Sequence, residues 1–286
     1  MKAVLTSRAI RIMMLGLFVA GSSAFCLAAA PSVTPMSLSS GYKMMYDLDF
    51  DHAHQLFQSW QQQHPEDPLG PASDAAGYLF SELHRLGILE SQFYTDDKAF
   101  DARKKMSADP ELKKQFEAAL ILAEQRANAT LAKNSKDSDA LFALTLSSGL
   151  KADYAALIEK RNMASLSLTK EASARAQTLL AADPSRYDAY IATGIGKYII
   201  GSMAAPVRWL LRIGGFNGDK NAGIEELKLT AQKGTYLGPF ARILLAIAYV
   251  RDKDKPKARE MLSSLRDEFP NNPLFAREIS RIDSGN

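Results

Sequence analysis

Residues 239–272 read PFARILLAIAYVRDKDKPKAREMLSSLRDEFPNN. Leu245, Ala246 and Tyr249 mark one helix, Ala258, Leu262 and Leu265 a second, and Pro270 a stop. Two helices joined by a tight turn approach to about 8–10 Å. An alanine at the crossing permits that approach, and a neighbouring Leu or Tyr fills the flank. Proline ends the second helix because it lacks the amide proton and clashes with the preceding turn. One such pair cannot hide its apolar face, so stacked neighbours are implied.

The same offsets recur upstream. Ala172, Ala176, Leu179 and Pro184 repeat the second helix of the pair, and Tyr190, Gly194 and Tyr198 follow as a new first helix. Near the N-terminus Gly41, Ala53, Phe57, Trp60 and Pro65 fit a pair over about 38–64, with Asp51 as the expected N-cap of its second helix. Helices are also expected over about 72–89 with Gly87 as a stop, 110–133, 139–150, 207–213 and 222–233, the last capped by Asp219, with a capping helix over 274–284. Residues 90–109, with Phe93, Tyr94 and Phe100, read as a packed connection or a short helix rather than a free loop. Alternating β-branched runs are missing, and Ala, Leu, Lys, Glu and Gln dominate. The chain is therefore expected to be all-α, with four or five helix pairs.

The first thirty residues have the pattern of a secretory signal. Lys2, Arg8 and Arg11 precede the apolar run 12–20, and small residues follow up to Ala28, Ala29 and Ala30. Cleavage is expected near Ala28, with an uncleaved anchor as the alternative, and residues 31–40 as a flexible tether before a repeat domain over 41–286. The segment holds three of the 35 basic side chains and none of the 32 acidic ones, which leaves 32 of each in the remainder. The net +3 of the chain thus belongs to the signal, and the remainder lacks the net basic field that favours nucleic acid. The one cysteine, Cys26, lies in the same segment, so stability must come from apolar packing rather than disulfides. Export to a bacterial periplasm or cell envelope is the expected address.

Motifs for catalysis are not evident. There is no nucleophile elbow and no Walker loop. His52 and His54 stand about 200° apart on a helix and cannot chelate one ion together, so they read as solvated helix residues. The loop Gly214-Gly215-Phe216-Asn217-Gly218-Asp219-Lys220 precedes a helix but follows no strand, and reads as an inter-helix turn before it reads as an anion site. Residues 199–213 combine Met203, Val207, Trp209, Leu210 and Leu211 with Arg208 and Arg212. Packing inside the array is the first expectation for them, and an interfacial helix the second.

On these offsets the chain resembles the tetratricopeptide repeat (TPR) superfamily, a unit of about 34 residues. The match is best at 239–272, fair at 37–67 and 165–200, and weak between. Gly215, Gly218, Asp219, Gly223, Leu227 and Gly234 also resemble a Gly-rich helix-entry pattern of the inclusion-body-clearance family of TPR proteins. The resemblance implies a right-handed superhelical stack of antiparallel helix pairs, an α-solenoid whose concave groove grips a protein or peptide partner. Matching first-helix positions point to Tyr190, Lys197, Arg242 and Tyr249 as groove residues, with Tyr249 alternatively in the core. The expected function is a non-enzymatic scaffold with no cofactor, metal or catalytic residue. The alternative is a membrane-peripheral assembly factor using residues 199–213.

Overall fold

The computed structural model describes residues 37–89, 107–215 and 217–284, and every regular element among them is a helix. The signal-like segment, Cys26 and the expected packed connection around Phe93, Tyr94 and Phe100 lie outside the described residues. In chain order the helices are α1 (Leu38–Tyr46), α2 (Phe50–Gln63), α3 (Leu69–Arg85), α4 (Pro110–Lys133), α5 (Ser138–Asp153) and α6 (Asn162–Ala182). They continue as α7 (Tyr190–Ser202), α8 (Ala205–Ile213), α9 (Lys220–Lys233), α10 (Gly238–Arg251), α11 (Lys255–Glu268) and α12 (Pro273–Ser284). A π-helical turn, Tyr154–Ile158, extends α5.

Two layers result. Helices α1, α3, α5 and α7 pack side by side in that order. Each intervening helix bridges two members of the row: α2 rests on α1 and α3, α4 on α3 and α5, and α6 on α5 and α7. The pattern continues with α9 on α7 and α10, and α11 on α10 and α12. The alternation follows from where the alanines lie. Ala53, Ala123, Ala176 and Ala258 are fully buried on bridging helices, where two backbones on one side must be approached closely. Gly41 serves the same end on α1, since a Cβ there would sit 2.3 Å from the Phe57 ring.

Helix boundaries follow local chemistry. Asp109, Asp137, Asp219 and Asp254 accept amide protons at the starts of α4, α5, α9 and α11. Gly87, at φ +69°, lets the chain leave α3. The N-cap of α2 is Asp49, not Asp51, and its carboxylate meets His52 rather than a backbone amide. Helix α1 starts inside the stretch expected as a tether, because Ser37 caps it by accepting the Ser40 amide at 3.2 Å.

Helices α7 and α9 cross at backbone contact. A Cβ on Gly218 would lie 2.4 Å from the Gly201 amide nitrogen, and one on Gly223 2.6 Å from the Tyr198 nitrogen. The glycines of the 214–223 stretch thus serve a close helix crossing, sealed by the Asp219 amide donating to the Lys197 carbonyl at 3.1 Å.

The two ends of the array meet. The Tyr46 hydroxyl donates to the Tyr236 carbonyl at 3.0 Å, and Asn272 donates to the Tyr46 carbonyl at 2.8 Å. Asp47 accepts the Asn271 amide at 2.9 Å, while the Tyr42 and Tyr236 rings pack 5.2 Å apart. Helix α1 therefore has a second neighbour far along the chain.

Candidate functional site

The last turns of the row helices surround an apolar cavity of about 990 Å³. Met45 and Tyr46 come from α1, Phe80 and Leu83 from α3, Ile195 and Ile199 from α7. Helix α10 supplies Phe240, Ile243, Leu244, Ile247 and Val250. Their spacing of three and four residues puts one stripe of α10 on the cavity, while Ala241, Leu245 and Ala248 of the same helix are buried against its neighbours. A helix apolar all round is the sequence signature of such a position. The close packing of the array elsewhere makes a void of this size a specific feature of the fold.

Polar groups are the minority of the lining, and Thr169, Tyr198, Ser202, Arg251 and Asn272 are among them. Asp153 ends α5 at the cavity wall and has no hydrogen bond or ion pair with a described residue. Burial among apolar side chains is the cause that raises its carboxyl to about 7. Asn162 and Ser165 stand on the first turn of α6. Helix α12 contributes Arg277, Glu278 and Arg281. Glu278 and Arg281 pair at 2.5 Å, whereas Arg277 is exposed and meets no described carboxylate. A largely apolar cavity with a few convergent polar groups and one displaced pKa has the general character of a ligand site.

The four expected groove residues do not gather there. Tyr190 is half-buried and packs on Tyr187, with ring centres 6.4 Å apart. Lys197 binds Glu226 of α9 at 2.5 Å. Arg242 reaches Ser264 at 3.1 Å and pairs with Glu268. It lines a separate polar cleft of about 270 Å³ with Ser39, Lys43 and Tyr236. Tyr249 packs against the core beneath Lys257, whose ammonium lies 5.5 Å from the ring centre. Three of the four stand one residue from a cavity-lining neighbour: Lys197 beside Tyr198, Arg242 beside Ile243, and Tyr249 beside Val250.

Helix α8 overturns the first expectation for residues 199–213. It has no buried residue. Val207 is 49% exposed, Trp209 66%, Leu210 64% and Ile213 66%. At about 100° per residue, Trp209, Ile213, Leu210, Val207 and Leu211 share one broad arc, while Arg208 and Arg212 occupy the other. Val207 also borders the cavity, so the apolar surface runs from the cavity to α8.

The histidines are separated as their spacing requires. His52 is exposed beside Asp49 at 2.8 Å. His54, expected as a solvated residue, instead points inward, bonds Asp74 at 2.5 Å and stacks on Tyr78. The i, i+2 offset puts one of the pair on the packed face, a distinction composition alone does not make. Among the described residues no group of three His, Cys, Asp or Glu is placed to hold a metal ion.

No protein-family model matches the chain, and no curated protein matches it.

Proposed function

We propose that this chain is a non-enzymatic binding protein of the cell envelope that docks on a membrane surface through α8. The observation that carries the reading is the unburied apolar arc of Val207, Trp209, Leu210 and Ile213 backed by Arg208 and Arg212. Helix α8 contains no acidic residue, so its basic edge complements anionic headgroups while the apolar arc enters the acyl boundary. Tryptophan and arginine favour that interface. The frame behind it is read as a TPR-like right-handed stack of antiparallel pairs, supported by the alternating row and bridging helices and by the offsets at 239–272. Export to the periplasm is supported by the residue pattern of 1–30.

The test is flotation of the chain from residue 31 onward with vesicles of phosphatidylglycerol and phosphatidylcholine. The protein is expected to float with anionic vesicles and to lose flotation in a Trp209→Ser, Leu210→Ser, Ile213→Ser variant. Equal recovery of wild type and variant in the vesicle-free fractions refutes the reading. A scaffold role with a protein or peptide partner is the second reading, favoured by the polar cleft at Arg242, whose Nε is buried without a hydrogen-bond partner. In-cell crosslinking that returns one partner, lost in Arg242→Ala, would place that reading first.

A further inference from the structure

An apolar occupant gains dispersion contacts along the whole wall of an apolar cavity. The cavity here, at about 990 Å³, matches the upper end of the roughly 300–1,000 Å³ seen for ligand sites. Its wall is aliphatic and aromatic, and Met45, Met163 and Met203 line it. Unbranched methionines adapt to a flexible chain without fixing its shape. Hydrogen-bonding groups are too sparse for a sugar, nucleotide or peptide, each of which would leave polar atoms unpaired.

The charges narrow the class further. Three arginines line the cavity: Arg281 is paired with Glu278, Arg251 has a partner of its own, and Arg277 on α12 meets no described carboxylate. Guanidinium matches a carboxylate with two parallel hydrogen bonds. Asp153 brings a carboxyl and no cation to the lining, and Arg251 and Arg281 are already engaged, which leaves Arg277 as the anchor. One guanidinium free of a protein carboxylate suits a single carboxylate head.

We infer that the cavity binds one long-chain fatty acid, its alkyl chain among the α7 and α10 side chains and its carboxylate on Arg277. The inference rests on the membrane reading only for the route of delivery, since Val207 joins the cavity wall to α8.

The experiment titrates the chain from residue 31 onward, stripped of lipid, with monomeric hexadecanoate and with hexadecanol. One hexadecanoate per chain is expected. Ile247→Trp, which fills the cavity, should weaken both ligands by on the order of tenfold or more. Because a large residue can disturb folding, Arg277→Gln on an exposed side chain is the second variant. It should weaken hexadecanoate by on the order of tenfold and leave hexadecanol unchanged. The triple serine variant of α8 should lose flotation yet bind hexadecanoate from solution as wild type does, which separates failure of this site from failure of membrane docking. Absence of hexadecanoate binding overturns the inference. So does binding that survives both Ile247→Trp and Arg277→Gln, and so does binding lost only with the α8 variant.

Discussion

Tyr46 donates its hydroxyl to the carbonyl of Tyr236 across 190 residues of chain. This bond belongs to a seam that also holds Asn272 on the Tyr46 carbonyl and Asn271 on Asp47. Asn272 is buried, so its loss strands a buried carbonyl. Asn272→Ala is expected to cost about 1–3 kcal/mol, measured by urea unfolding. A midpoint equal to wild type would show that the seam contributes nothing.

Asp188 is a second long-range anchor. Its carboxylate accepts the amides of Thr235, Tyr236 and Leu237 at 2.9, 2.9 and 2.7 Å, and the side chain is 2% exposed. These bonds fix the turn into α10 and so aim Phe240, Ile243 and Ile247 at the cavity. Asp188→Ala leaves three amides to find other partners and should cost about 3 kcal/mol or more. A thermal midpoint within a degree of wild type would contradict this.

The α7–α9 crossing is sensitive to a single methyl. Gly223→Ala sets a Cβ 2.6 Å from a backbone nitrogen, which cannot swing away as a side-chain end can. A loss of about 1–3 kcal/mol or more is expected. Ala258→Leu tests the α10–α11 pair in the same way, because Ala258 is fully buried. An unchanged melting temperature for Ala258→Leu would sink the assignment of that residue to the crossing.

Asp153 gives a pH dependence of unusual sign. Its folded value, about 7, lies above the ordinary carboxylate range because burial disfavours the charged form. The folded state therefore holds this proton more tightly than the unfolded chain does. The group weighs least on stability below about pH 4 and increasingly against it as pH rises through 7. Asp153→Asn should flatten that slope and raise the thermal midpoint at pH 8. The gain is bounded by about 4 kcal/mol and reduced by solvent at the cavity mouth. Parallel pH profiles for wild type and variant would refute it.

The helical class was legible because it is written in local terms: alanine at i and i+4 on Ala172 and Ala176, aspartates before helix starts, and prolines after them. Asp219 and the 110–133 helix follow their signals directly. Asp51 failed as a cap because Asp49 and Asp51 both stand near the start of α2, and backbone path rather than residue type decides which of them is at the boundary. The cavity was not legible. Ile243 and Leu244 differ from Leu245 only in direction, and direction depends on which neighbours surround α10. The placement of α8 differs from the expectation for the same reason: Trp209 and Leu210 promise burial, yet among the described helices α7 is the main neighbour of α8.

An open row of repeats melts from its tips, since each terminal unit has a single neighbour. The Tyr46–Tyr236 seam gives the first tip a second neighbour. Helix α1 cannot complete its packing until the chain has been made as far as Asn272, so the first pair waits on the last quarter of the chain rather than closing by itself. Amide exchange in α1 and in the turn at Asn271 and Asn272 should then slow together, and trimming the chain from Phe269 onward should loosen helix α1 more than the nearer α9.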